Sequence, residues 1–168
     1  SKNSLIAVMQ SNDFKASVEA VANKYMTAEH IVKAALLAVS RTPNLMNCTK
    51  TSFLQAAIKA AELGLDFAGT TGQGYLIPFG KECQFIPGYQ GFIEIAYRSG
   101  KISYIDAQLV YDKDKVEYNL GSNPFINHQP YLGEDRGKVI FGYAVVKLVG
   151  SEMPKIELMS YSDIMKIK

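Results

Sequence analysis

Residues 84–102, QFIPGYQGFIEIAYRSGKI, carry the chain from one kind of structure to another. Gln84-Phe85-Ile86 reads as the end of a strand, and Phe92 to Arg98 places apolar residues at helical spacing. Between them, Pro87-Gly88-Tyr89-Gln90-Gly91 holds an aromatic ring and an amide between two glycines. This turn has two readings. In the first, the glycines only make the strand-to-helix connection tight, Tyr89 packs, and Arg98 and Lys101 complement the C-terminal end of the helix dipole. In the second, a helix that begins near Tyr89 to Gly91 points unpaired backbone N–H groups outward and forms an anion site. Gln90 would add a neutral hydrogen bond there, Tyr89 a stacking face, and Lys81 a nearby cation. Spacing alone favours the plain turn.

The pattern on either side decides the fold class. Upstream, Tyr75 to Phe79 and Glu82 to Ile86 predict a hairpin around Gly80-Lys81, with Pro78 confining its strand to an edge. Before the hairpin, Gly69-Thr70-Thr71-Gly72-Gln73-Gly74 reads as a flexible connector. The first third is helical in pattern. Asp13 is the expected cap of a helix over 14–25, Thr27 of one over 28–40, and Thr49 or Thr51 of one that ends at Gly64. Downstream, Gly100 ends the helix of the opening stretch, whose Phe92, Ile95 and Ala96 are read as core. Strands follow at 102–111 and 116–119. Residues 121–137, rich in Gly, Pro and Asn, read as a long loop, and a second hairpin turns around Gly150. The expected class is α+β: N-terminal helices followed by a β-hairpin–helix–antiparallel sheet core. Ser160 with Asp163 marks one more helix start, over 161–168, and its abrupt end predicts a protein that continues past Lys168.

The 168 residues suffice for one domain with a core, and 48% hydrophobic with 20% charged residues is a globular composition. No apolar run is long enough to span a bilayer. The patch Leu5 to Met9 is too short to be read as a signal sequence. Cys48 and Cys83 lack Cys-x-x-Cys spacing and read as thiols of a reducing compartment. A net charge of +2 leaves any phosphate-binding surface to local placement. Asp112, Asp114 and Glu117 match a calcium loop only in part, lacking its central glycine, and read as a solvated turn. His30 and His128 fit no zinc spacing and read as ordinary polar residues. Asp66, Glu94, Asp106 and Glu134 are too scattered to predict a two-metal nuclease. Gly72-Gln73-Gly74 lacks the Gly-Lys-Ser/Thr of a nucleotide loop. No cofactor is expected.

Gly74-Tyr75-Leu76-Ile77-Pro78-Phe79-Gly80-Lys81-Glu82-Cys83-Gln84-Phe85 and Gly88-Tyr89-Gln90-Gly91-Phe92-Ile93-Glu94-Ile95-Ala96-Tyr97-Arg98-Ser99-Gly100 together resemble the core of the RecT-type phage recombinases. So do Gln55-Ala56-Ala57, Ala61-Glu62-Leu63-Gly64-Leu65, Val110-Tyr111, Gly137 to Leu148 and Met159-Ser160. The resemblance covers most of the chain. It implies a single-strand annealing protein, not an enzyme, that works without ATP in the bacterial cytoplasm. The implied partners are single-stranded DNA, the annealed duplex intermediate and further copies of the chain in a ring or helical filament. A 5′–3′ exonuclease and a host single-strand-binding protein are further candidate partners, and no membrane is involved. Residues 1–68 would then serve assembly and 69–160 DNA binding. The expected DNA contacts are Lys81, Gln84, Gly88, Tyr89, Gln90, Gly91, Arg98 and Lys101, with Lys113 and Lys115 as secondary cations. Many relatives carry Lys at the position of Gln90, and the family continues into a basic helical region and a small C-terminal module. An assembly scaffold without a DNA role and a metal-dependent nuclease are the rival classes.

Overall fold

Apolar residues three and four apart become the buried stripes of a helical layer. The computed structural model describes residues 3–167. Its first helices are α1 (Asn3–Met9), α2 (Asn12–Val21), α3 (Ala28–Arg41) and α4 (Lys50–Glu62), with a 3-10 turn at Pro43–Asn47. The caps expected at Thr27 and Thr49 form, each side-chain oxygen accepting the amide three residues on. Pro43 sits at the start of the 3-10 turn just after α3 ends. Gly64, φ +64°, ends α4 in the left-handed conformation that glycine adopts without strain.

Three readings of this region change. The Leu5 to Met9 patch is part of a helix, with Leu5 and Met9 fully buried. The cap of α2 is Ser11, not Asp13: its hydroxyl accepts the Phe14 amide. That helix stops at Val21, short of Tyr25. The cause is Asn23, whose Oδ1 accepts the amides of Tyr25 and Met26 and whose Nδ2 donates to the Ala61 carbonyl. A side chain that satisfies following amides offers the backbone an alternative to another helical turn.

Strands β1 (Gly74–Phe79) and β2 (Glu82–Pro87) pair antiparallel around Gly80-Lys81, as expected, and Gly80 takes φ +61°. Alternation along the hairpin sends Leu76, Cys83 and Phe85 into the core and leaves Tyr75, Phe79, Gln84 and Ile86 exposed. The inner face lies on α4. The Thr49 amide donates to the Lys81 carbonyl at 2.8 Å, and the Cys83 amide to Ser52 Oγ at 3.0 Å. Phe14, Phe53, Phe67, Ile31, Leu45 and Leu65 fill the space between the helices and the hairpin. Cys48 and Cys83 are buried free thiols, and burial pushes the Cys83 thiol up to about 12.

The chain divides into two compact units, Ser1–Ile95 and Ala96–Lys168, with the division inside helix α5 (Tyr89–Arg98). The second unit is built on an antiparallel sheet of β3 (Ile102–Tyr111), β6 (Val139–Leu148) and β7 (Lys155–Ser160) in the order β3-β6-β7. A separate antiparallel pair is formed by β4 (Lys115–Asn119) and β5 (Phe125–Gln129). The long loop expected over 121–137 therefore contains a strand. Phe125 to Gln129 escapes composition because its polar neighbours mask it, and its register with Lys115 to Asn119 supplies the ladder. A four-residue helix, α6 (Tyr161–Ile164), follows, and Ser160 caps it by accepting the Asp163 amide. Val110 is the fully buried large side chain of this unit among the described residues. The fold is α+β. No helix among the described residues is long and apolar enough to cross a membrane.

Candidate nucleic-acid interface

The strand-to-helix turn is held by backbone packing. A Cβ on Gly88 would stand well under 3.0 Å from the Gly72 carbonyl oxygen, and one on Gly91 equally close to the Gln73 carbonyl oxygen. Both glycines are thus required by the close approach of residues 72–73. The Gly88 amide donates to the Gln73 carbonyl at 2.9 Å, and the Gly88 carbonyl accepts the amides of Gly91 (2.9 Å) and Phe92 (3.2 Å). The expectation that amides at the turn point outward is therefore overturned for Gly88 and Gly91, whose N–H groups are spent inside the protein. Tyr89 and Gln90 are the first helical residues, for whose amides the helix itself supplies no acceptor.

The segment read as a flexible connector is a shaped cradle. Gln73 Oε1 accepts the Asp66 amide at 2.9 Å, and Asp66 Oδ1 accepts the Ala68 amide at 2.8 Å. Asp66 Oδ2 lies 2.8 Å from His30 Nε2, so this histidine, read as an unattached polar residue, tethers α3 to the cradle. The Tyr75 ring packs beside Gly69 and Gly88, and the Gln90 methylenes lie over Gly72. Tyr89 is 72% exposed. Phe92 at 60% and Ile95 at 36% are exposed as well, which corrects their reading as core: the buried residue of α5 is Gly91. Lys81 and Gln84 are exposed on the hairpin.

The remaining expected contacts belong to the second unit. Arg98 lies in the last turn of α5 and Lys101 is exposed just before β3, while Gly100 takes φ +70° between them. Lys113 is exposed with its ammonium 3.1 Å from an Asp135 carboxylate oxygen, so part of its charge is already answered. Lys115 is exposed on β4 opposite Gln129.

The turn at 112–115 is exposed at Asp112, Lys113 and Lys115, as a solvated turn is, but not at Asp114. The Asp114 side chain is fully buried and accepts from Arg136 Nη2 (2.6 Å) and Nε (3.1 Å) and from the amides of Tyr131 (2.8 Å) and Tyr111 (2.9 Å). His128 Nε2 completes the set at 3.1 Å, and its Nδ1 lies 3.2 Å from the Tyr143 hydroxyl. A carboxylate only accepts, so His128 donates to Asp114 from Nε2. The Arg136 guanidinium, then the two amides and His128, hold the Asp114 carboxyl far below the usual carboxylate range, against the burial that would raise it. His128 is thus a structural residue with a 6% exposed side chain. Neither it nor Arg136 was legible as Asp114's partner, because 14 and 22 residues separate them from it in sequence. Among the described residues no three His, Cys, Asp or Glu side chains gather to hold a metal ion.

The sequence profile described as the RecT family matches residues 29–168, which take in the hairpin, α5 and the whole second unit. The chain belongs to the RecT family. It is 33% identical over 156 residues to Protein RecT of Escherichia coli (strain K12), an alignment that covers 88% of this chain and 58% of that protein. It is also 26% identical over 87 residues to the uncharacterized protein YqaK of Bacillus subtilis (strain 168), across 51% of this chain and 31% of that one. The chain thus spans less than two thirds of the length of either relative. The matched region contains every residue singled out above as a RecT-type DNA contact.

Proposed function

We propose that this chain binds single-stranded DNA and anneals complementary strands, without ATP or another cofactor, during phage-type homologous recombination. The observation that carries the reading is membership of the RecT family over residues 29–168. The chemistry of the exposed residues supports it. Annealing leaves bases free to test a partner strand, so the protein grips phosphate and sugar. The amides of Tyr89 and Gln90, the Gln90 side chain, Gln84 and the cation Lys81 suit that task in the first unit. Gly88 and Gly91 contribute by shaping the turn. Arg98 and Lys101, with Lys113 and Lys115 as weaker cations, neutralise phosphate from the second unit. Modest charge per copy suffices when many copies line one strand in a ring or helical filament, since each adds a few contacts. In this reading residues 1–68 serve assembly and 69–160 bind DNA. The chain acts in the bacterial cytoplasm, makes or breaks no covalent bond, and holds a duplex intermediate. A 5′–3′ exonuclease would supply its single strands, and a host single-strand-binding protein would share them.

A strand-annealing assay with and without magnesium and ATP tests this. Pairing that needs neither, with both strands intact, is the expected result. Absence of pairing or cleavage of the strands would refute it. The Arg98→Ala/Lys101→Ala double variant should bind single strands of any sequence more weakly. Its log–log salt slope should flatten by about 0.7 per lost phosphate contact.

A further inference from the structure

Residues 66–74 link a core helix to the start of α5 through one side chain. Gln73 works at both ends. Its carbonyl oxygen accepts the Gly88 amide and fills the space left by the missing Cβ of Gly91. Its side-chain Oε1 accepts the Asp66 amide, and the Asp66 carboxylate is held by the Ala68 amide and by His30 on α3. Gln90 lies over the neighbouring Gly72. The position of the first turn of α5 therefore follows where the Gln73 peptide sits, and that peptide is held on one side by the pairing of Gly74 with Pro87 and on the other by its own side chain. Positive φ at Gly69 (+79°) and Gly72 (+71°) gives the loop its course, but glycines leave it free to adopt others.

We infer that Gln73 is a positioning residue for single-strand binding: it fixes the α5 N-terminus so that the Tyr89 and Gln90 amides and the Gln90 side chain meet a phosphate together. The inference rests on the single-strand reading above. Gln73 makes no contact with DNA in this scheme. It removes from the loop the alternative conformations that binding would otherwise have to suppress, and such preorganisation raises affinity without adding a contact.

The test uses the full chain and a fluorescent single-stranded oligonucleotide, at a temperature well below each variant's melting point. Gln73→Met keeps the length of the side chain and removes its acceptor, and Gln73→Glu keeps the acceptor. Loss of one such bond corresponds to about a fivefold weaker Kd for Gln73→Met. Its salt slope should match wild type because no cation is lost. Hydrogen exchange at the Gly88 and Gly91 amides should be faster in Gln73→Met and return toward wild type in Gln73→Glu, a rescue that general destabilisation would not give. Gln73→Asn, one methylene shorter, poses the same test with a gentler change to the loop. Wild-type binding with unchanged affinity in both Gln73→Met and Gln73→Asn overturns the positioning role alone. A wild-type chain that does not bind the oligonucleotide overturns the single-strand reading itself, and Gly88 exchange still reports whether Gln73 sets the turn.

Discussion

Replacing Gly91 by alanine sets two physical effects against each other. In a helix, Gly→Ala ordinarily gains about 1 kcal/mol, because glycine loses more backbone freedom on folding. Gly91 does not take positive φ, so its backbone would accept a side chain. Space is what it lacks. The new Cβ would lie 3.0 Å from Leu65 Cδ1 and 3.1 Å from the Gln73 carbonyl carbon, and closer still to that carbonyl's oxygen. Leu65 is fully buried, and the Gln73 oxygen already accepts the Gly88 amide, so neither can step aside alone. Relief requires the 72–73 backbone or the start of α5 to move by about 1 Å, given the 3.5–4.0 Å at which such atoms sit comfortably. Overpacking of this kind costs about 1–3 kcal/mol. Set against the propensity gain, the net loss is about 0–2 kcal/mol, or a fall in melting temperature of up to about 8 °C for a chain of this length. Thermal unfolding followed by circular dichroism measures it, and single-strand binding should weaken in the protein that remains folded. A rise in melting temperature would refute the close packing, since helix propensity alone would then be in control. Gly80→Ala is the comparison: nothing lies within 4 Å of its Cβ, and its φ of +61° is the only source of cost.

Asp114→Asn keeps the shape of the buried carboxyl and removes the charge that answers Arg136, so it should unfold at lower urea concentration at pH 7. The folded-state pKa of Asp114 is depressed, so its stabilisation is complete above the unfolded-state value near about 4 and is lost as pH falls below it. The wild-type advantage should shrink over that acid range, and an advantage constant down to about pH 2 would defeat the assignment. Cys83, pushed up to about 12 by burial, should resist a disulfide reagent at pH 8 in the folded chain and react promptly in denaturant. Prompt labelling of both thiols in the native protein would contradict their burial. Thr49→Ala removes the cap of α4 and should cost about 1 kcal/mol in equilibrium unfolding, and an unchanged midpoint would show that the cap contributes nothing.

Local signals are legible in the sequence because local chemistry produces them. Thr27 and Thr49 cap helices through amides three residues away, and the 80–81 hairpin and the 102–111 strand follow from alternation and turn residues within a few positions. The sequence is least legible where a distant partner decides. Ser11, Asn12 and Asp13 all carry capping chemistry, so composition alone leaves the choice open; the Ser11 hydroxyl is the one that meets the amide three residues on. The end of that helix depends on Asn23, which reaches the Ala61 carbonyl 38 residues away. Phe125 to Gln129 becomes a strand because Lys115 to Asn119 lies beside it, a pairing that the intervening Gly, Pro and Asn conceal. His128 reads as an ordinary polar residue and Asp114 as part of a solvated turn, and only folding reveals a buried network in which both are satisfied.

The opening motif lies between these cases, and its two readings turn out to be complementary. Gly88 and Gly91 do what the plain-turn reading requires: their missing side chains admit the Gly72 and Gln73 carbonyls, and their amides are consumed internally. That same packing confines any anion contact to Tyr89 and Gln90, the two residues between the glycines. Hydrogen bonds from two helical amides and a neutral side chain to a phosphate are charge-assisted through the acceptor, but they neutralise no charge and release no counterion, as a lysine would. Under the proposed single-strand reading, a turn without a lysine at position 90 would gain its grip from accurate placement, from cations elsewhere and from repetition along the strand. Placement is the quantity that the Gln73 clasp controls. Changes to the clasp should consequently alter affinity at every salt concentration by the same factor, whereas loss of Lys81 or Lys101 should matter most at low salt, where phosphate neutralisation contributes most.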